Sequence, residues 1–218
     1  MFLVSDFPYH IDHEHRSYDY LNKLPLDPVE GDVVGEDICD NDLIQTPTRS
    51  KPVLSIEGGR WIGEASEGIV IEVRVQIATA VGPQTLTLAE KIFKHPKYTE
   101  WRYYDPSYPR GNPELQWQNA QEIRRINRER QLGIKMPPTF LLRRFADKRA
   151  RTLSTLLPVA RDFLKEQRVD FDADRIDQRK RVNLAGFLAP DDAFFPVWDS
   201  TLKKLVAVLG DYGGVVKF

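Results

Sequence analysis

The feature that most constrains this chain is a strict alternation of apolar and polar side chains near its middle. From Ile69 to Ile77 every second residue is a branched aliphatic residue, and mostly polar residues stand between them. A period of two predicts a β-strand with one buried face. Gly82-Pro83 then predicts a chain reversal. The strand that follows should place Glu90 on the same face as three aliphatic side chains, those of Leu86, Leu88 and Ile92.

Composition excludes several classes of protein. The chain has 218 residues, 41% of them hydrophobic, which is enough for one sizeable core. The formal net charge of -1 favours neither nucleic acid nor an anionic membrane as a partner. The single cysteine, Cys39, excludes an internal disulfide framework. No apolar run is long enough to cross a bilayer, and the first residues lack the features of a signal peptide, so a cytoplasmic location is expected.

Residues 1–51 are polar and acidic, with scattered prolines and no sustained periodicity. This composition predicts an N-terminal extension that is poorly ordered or lies over the core. His10, His13 and His15 alternate with acids and could hold a metal ion. A solvated tract is the favoured interpretation, because no second cluster of ligands is evident to complete such a site.

Residues 95–112 are dense in aromatic residues and proline. We favour an ordered loop folded on its own rings. The alternative is an insertion that binds a protein partner or acts as a lid.

A helix is predicted to begin after Asn112, because a capping side chain precedes Pro113 and an acid. The helix should end near Leu132, before Gly133. Leu115, Glu122 and Ile126 fall on one stripe at helical spacing, which predicts an acid on an otherwise apolar face. Such a carboxylate needs a cationic partner.

The remaining elements are predicted from shorter patterns. Strands are expected from Thr139 to about Phe145, after Phe194, and over Leu205–Leu209; helices are expected over Leu156–Gln167 and Asp174–Leu184. A basic cluster is expected to lie at a solvated hairpin tip, and it comprises Arg143, Arg144, Lys148, Arg149 and Arg151.

Short motifs spread over residues 55–218 resemble those of protein kinases. The glycine-rich pattern G-x-G-x-x-G-x-V is matched, with alanine for its second glycine, by Gly63, Ala65, Gly68 and Val70. One hairpin later, Ala89-Glu90-Lys91 resembles the V-A-I-K strand. The end of the catalytic loop is similar to residues 188–192, and Asp211-Tyr212-Gly213 resembles D-F-G. The motifs stand in the order that kinases have, which strengthens the resemblance.

The resemblance implies a role for each matched residue. Lys91 would hold the phosphates of ATP, and the small Ala89 would leave room for its base. Glu122 would pair with Lys91, and Glu129 is the second candidate for this role. The alternative without a functional role is that both acids are solvated and pair with Arg125 or Arg128 along the helix. Two acids, Asp192 and Asp211, would hold Mg²⁺.

The sequence also departs from the kinase pattern. Phe187 stands where the catalytic aspartate would be, five positions before Asp192. The group that accepts the proton of the substrate hydroxyl is therefore missing, and Asp191 is a weak candidate base. No activation segment or A-P-E motif follows before Phe218, so either a minimal kinase-like protein or a fragment of a longer kinase is implied.

These observations predict an α+β fold. A kinase-like small lobe, an antiparallel sheet with one packed helix, would span residues 52–150, and a truncated large lobe would span 151–218. The expected function is that of an ATP-binding pseudokinase or degenerate kinase. The alternatives are a small active phosphotransferase with a relocated base, and a protein-interaction domain that no longer binds nucleotide.

Overall fold

The computed structural model describes residues 53–65, 68–79, 82–93, 109–137, 140–144, 150–157, 159, 164–199 and 202–218. Over these residues the fold is α+β, as predicted. The chain divides into two compact units. One contains a five-stranded antiparallel sheet, and the other contains two helices and two small two-stranded sheets.

The five-stranded sheet is built from β1 (Val53–Ala65), β2 (Gly68–Thr79), β3 (Gly82–Phe93), β4 (Phe140–Arg144) and β5 (Ala150–Thr155). The spatial order is β1-β2-β3-β5-β4, and every neighbouring pair is antiparallel. Thr79 pairs with Gly82, which confirms the predicted reversal. β5, which lies between β3 and β4 and pairs with both, was not predicted from the sequence.

The alternation along β2 and β3 is confirmed. The buried side chains of β2 are Ile69, Ile71, Val73 and Val75. They pair with β3 residues of the same face, where Leu88, Glu90 and Ile92 are buried. Because side chains in a strand alternate between faces, the residues between them form the second face, which is half-buried to exposed over much of its length.

The first helix, α1 (Pro113–Arg130), begins where its sequence predicts and ends two residues before the predicted Leu132. The Asn112 side chain accepts a hydrogen bond from the Leu115 amide at 3.1 Å, which satisfies one of the free donors of the first turn. Gln131 ends the helix in the left-handed region, and Gly133 follows with a φ of +69°.

The second helix, α2 (Arg168–Leu184), begins almost two turns before the predicted start and ends at the predicted residue. After it come β6 (Phe187–Leu188), a single 3-10 turn (Asp191–Ala193), β7 (Phe194–Asp199), β8 (Lys204–Leu209) and β9 (Val216–Lys217). The strands pair antiparallel, β6 with β9 and β7 with β8. The two apolar strands predicted near the C-terminus are therefore confirmed as one hairpin.

The outer edge of β8 is covered by acceptors from other segments. The amides of Leu205 and Ala207 donate to Gln167 Oε1 at 2.9 Å and to Asp174 Oδ2 at 2.7 Å. The Leu209 amide donates to the Lys135 carbonyl at 2.9 Å. An uncovered strand edge presents a row of unsatisfied donors, so these contacts complete the hairpin and tie α2 to it.

The helix predicted from Leu156 to Gln167 is wrong at the residues that the structure describes. Val159 forms an isolated antiparallel bridge with Val197, and Leu157 packs with Val197, Val206 and Val208. The apolar side chains of Leu157 and Val159 therefore pack on the β7–β8 hairpin. Pro158 explains part of the error, because proline disfavours helical backbone at the residue before it.

The N-terminal extension with its histidine tract, the aromatic residues 95–108 and the turn at 146–148 lie outside the described residues. No helix in the described part of the chain is long and apolar enough to cross a bilayer.

Candidate functional site

Three of the predicted nucleotide-binding residues lie in one row across β1, β2 and β3. Gly63 pairs with Val70, and Val70 pairs with Lys91. Directly paired residues of an antiparallel sheet point to the same face. The glycine-rich hairpin and the lysine are therefore brought together by strand register, although 28 positions separate Gly63 from Lys91 in the sequence.

The two glycines of the hairpin have different structural roles. Gly68 is buried, and a Cβ there would lie 2.5 Å from the carbonyl oxygen of Ile92. A side chain at this position would push β2 away from β3. A Cβ at Gly63 would meet nothing within 4 Å. Packing within the protein therefore requires Gly68 and leaves Gly63 without such a requirement. Ala65 pairs with Gly68 at the end of the hairpin.

Lys91 is half-buried, and its Nζ lies 5.3 Å from the centroid of the Phe93 ring. Ala89, two residues earlier on the same face, pairs with Glu72 on one side and with Ser154 on the other. Ala89, Lys91 and Phe93 thus lie in order along one face of β3.

Glu90 lies on the apolar face of β3, as its sequence position predicts, but no partner for it was predicted. It is 1% exposed on this face, opposite that of Lys91, and its carboxylate lies 3.4 Å from Arg151 Nη1. Arg151 is 4% exposed, so its predicted place at a solvated hairpin tip is wrong. The physical reason is that β5 pairs with β3 and brings Arg151 beside the buried carboxylate. An acid on an apolar strand face was the available signal.

Glu122 lies on α1, but the buried face of that helix is not the predicted one. The buried residues are Gln116, Asn119, Ala120, Ile123, Arg124 and Ile126, and Leu115 and Glu122 are half-buried. The Glu122 carboxylate accepts a hydrogen bond from Lys217 Nζ at 2.7 Å. Glu129, the second candidate partner for Lys91, pairs along the helix with Arg125 at 2.8 Å. This is the pairing predicted for Glu129 if it has no functional role.

The two predicted metal ligands belong to segments that are joined by their backbones. The Ala193 carbonyl accepts hydrogen bonds from the amides of Gly210 and Asp211, at 3.0 and 3.2 Å. Asp192, the neighbour of Ala193, is thereby brought beside the segment that carries Asp211. Asp211 is half-buried, and its Oδ1 accepts a hydrogen bond from the Gly213 amide at 2.9 Å. Asp192 is exposed.

The Asp191 carboxylate contacts two arginines of α2. It accepts a hydrogen bond from Arg179 Nη1 at 2.9 Å and lies 3.6 Å from Arg175 Nη2. Phe187, which stands at the place of the usual catalytic acid, is fully buried in β6. Neither position presents a carboxylate that is ready to accept a proton from a substrate.

Tyr212, the middle residue of the D-F-G-like motif, is buried. Its hydroxyl donates to the Leu209 carbonyl at 3.3 Å. Burial raises the pKa of the Tyr212 phenol well above its usual range; Arg124 opposes this rise and Asp211 adds to it. The buried phenol therefore anchors the motif through its hydrogen bond to Leu209.

The predicted metal ligands, Asp192 and Asp211, are carboxylates, a donor type that Mg²⁺ prefers. Within the described ranges, no group of three or more His, Cys, Asp and Glu side chains could hold a metal by itself. Mg²⁺ commonly takes one or two protein carboxylates and completes its shell with water and substrate phosphates. Asp192 and Asp211 supply that number of carboxylates.

No protein-family model matches this sequence, and no curated protein matches it either.

Proposed function

We propose that this protein is a kinase-like module that binds ATP with Mg²⁺ and transfers phosphate slowly or not at all. Gly63, Ala65, Gly68 and Val70 would surround the phosphates, with Ala89 beside the base. Lys91 would bind phosphate oxygens, and Glu122 would orient Lys91. Asp192 and Asp211 would hold Mg²⁺, which would neutralise phosphate charge.

The observation that carries the proposal is the row formed by Gly63, Val70 and Lys91. Phosphate binding needs backbone that an oxygen atom can approach closely and a cation that points to the same side. Gly63 has open space where a side chain would be, and register places Lys91 on the same face two strands away. Sheet packing alone explains Gly68 but not Gly63.

Two features of the C-terminal unit support weak catalysis. Phe187 cannot accept a proton, and Asp191 is occupied by Arg179 and Arg175. Loss of a positioned base typically lowers a rate by about 10²- to 10⁴-fold. These contacts favour a nucleotide-binding protein with little turnover over a phosphotransferase with Asp191 as a relocated base.

The test is the thermal shift of the purified protein with ATP, with and without Mg²⁺. Ligand at 100 times its Kd should stabilise the fold by about 2.7 kcal/mol. Lys91→Ala should remove most of this shift. Arg74→Ala is the matched control, because Arg74 is an exposed cation on the same face of the neighbouring strand, away from the Gly63 row.

Gly63→Ala makes the test sharper. A Cβ there meets no protein atom within 4 Å, so the variant should melt at the wild-type temperature without nucleotide. It should nevertheless bind ATP more weakly, because the methyl group occupies space next to the phosphates. If ATP does not raise the melting temperature of the wild-type protein, the protein-interaction alternative is favoured and the proposal fails.

Turnover is measured separately with radiolabelled ATP and generic protein substrates. We expect little or none. Robust phosphate transfer that disappears in Asp191→Asn would show that Asp191 is the base and that the chain is a working kinase.

A further inference from the structure

The turn Asp191–Ala193 is anchored at both ends. At its start, the Asp191 carboxylate contacts Arg179 and Arg175 of α2, at 2.9 and 3.6 Å. At its end, the Ala193 carbonyl accepts the amides of Gly210 and Asp211. The turn itself is closed by a hydrogen bond from the Ala193 amide to the Pro190 carbonyl at 3.1 Å.

Asp192 is the residue between the two anchors. Its side chain is exposed, and it forms no hydrogen bond or ion pair in the described part of the chain. The carboxylate of the neighbouring Asp191 pairs with Arg175 and Arg179 of α2. The two acids of the turn are therefore used differently: the first fixes the backbone, and the second is available to a ligand.

We propose that Arg175 and Arg179 are positioning residues for Mg²⁺ binding, because they hold Asp191 and thereby fix the backbone that carries Asp192 beside the segment of Asp211. This inference rests on the proposed function. Residues that orient a metal ligand through a second contact commonly change metal affinity without touching the metal. The arginines would not contact nucleotide or substrate, so they are not catalytic residues.

Arg179 is the better residue to change. It is exposed, and among the described residues its guanidinium contacts Asp191 alone, whereas Arg175 also pairs with Asp172 at 3.1 Å and lies over the ring of Phe171. Lys180 is the matched control, because it is an exposed cation at the next position of α2 and forms no contact with Asp191 among the described residues.

The experiment measures three quantities for the wild-type chain, Arg179→Ala, Arg175→Ala/Arg179→Ala, Arg179→Lys and Lys180→Ala. They are the Mg²⁺ affinity in the presence of ATP, the ATP affinity without metal, and the hydrogen exchange of the Ala193 amide without ligand. We expect Mg²⁺ affinity to fall about tenfold in the double variant and less in Arg179→Ala. ATP affinity without metal should not change.

Arg179→Lys should restore most of the affinity, because an ammonium can still pair with Asp191, and Lys180→Ala should behave as wild type. Faster exchange at Ala193 in the double variant would support the claim that the arginines fix the turn. A double variant with wild-type Mg²⁺ affinity and wild-type exchange would overturn this inference while leaving the proposed function intact. A wild-type chain that binds ATP no better with Mg²⁺ than without it would overturn both.

Discussion

Glu90 in the sheet and Glu122 on α1 look alike in the sequence, because each is a lone acid among apolar residues at the period of its element. The structure treats them differently. Glu90 is 1% exposed and paired with a buried arginine, whereas Glu122 is half-buried and paired with the exposed Lys217. A strand has only two faces, so its pattern fixes which side each residue occupies. A helix turns by about 100° per residue, and an acid at the border of its apolar stripe can point outward.

The energetic consequence follows from burial. Breaking a buried ion pair leaves one uncompensated charge in a medium of low dielectric constant, which costs far more than breaking an exposed pair. The two glutamates therefore provide a ranked series of tests.

The largest effect is expected for Glu90→Ala. The change leaves Arg151 buried beside an apolar surface, and the free energy of unfolding should fall by about 3–5 kcal/mol. Chemical denaturation measures it. The double variant Glu90→Leu/Arg151→Leu removes both charges and should recover most of the loss. A small effect of Glu90→Ala would mean that water reaches this pair.

A smaller loss is expected for Asp174→Ala in the other unit. Asp174 accepts the Ala207 amide and pairs with Lys135 Nζ at 2.7 Å. Removal leaves a strand-edge donor without its acceptor, at a cost of about 1–3 kcal/mol. Asp174→Asn should retain the bond to Ala207 and lose only the ion pair, so it should be the milder of the two variants by the same measurement.

Tyr212 should make stability depend on alkaline pH. Burial raises the pKa of its phenol, so the folded chain retains the proton that the unfolded chain releases near pH 10. The stabilisation is therefore complete below about pH 10 and is lost as the pH rises above that value. Tyr212→Phe should cost about 1 kcal/mol at neutral pH through its lost hydrogen bond and should reduce the fall in stability at high pH. Equal pH profiles for the two proteins would contradict the assignment.

The smallest effect on stability is expected for Glu122→Ala, because the pair with Lys217 is largely solvated and should contribute less than about 1 kcal/mol. The nucleotide response separates this ion pair from the proposed role of Glu122 toward Lys91. Glu122→Ala should reduce the thermal shift with ATP and Mg²⁺, whereas Lys217→Ala should leave it unchanged. Identical responses of the two variants would remove Glu122 from the proposed site.

The sequence by itself determined the local elements whose signals lie within a few residues. The alternation along β2 and β3, the Asn112 cap and the β7–β8 hairpin are all as predicted. Each depends on backbone sterics and local periodicity, which act over one or two turns. The matched positions of the glycine hairpin and of Lys91 were also predictable, because they follow from two adjacent hairpins.

Only the tertiary structure decided which residues meet across long separations. The insertion of β5 beside β3 buries Arg151 against Glu90, and the contact of Val159 with Val197 replaces a predicted helix. Arg179 of α2 pairs with Asp191. A backbone hydrogen bond to Ala193 brings Asp211 to the turn that carries Asp192. The sequence pattern shows that a charge on an apolar face needs a partner of opposite charge. Which residue becomes that partner depends on the strand or helix that packs beside the charge, and only the tertiary structure determines this.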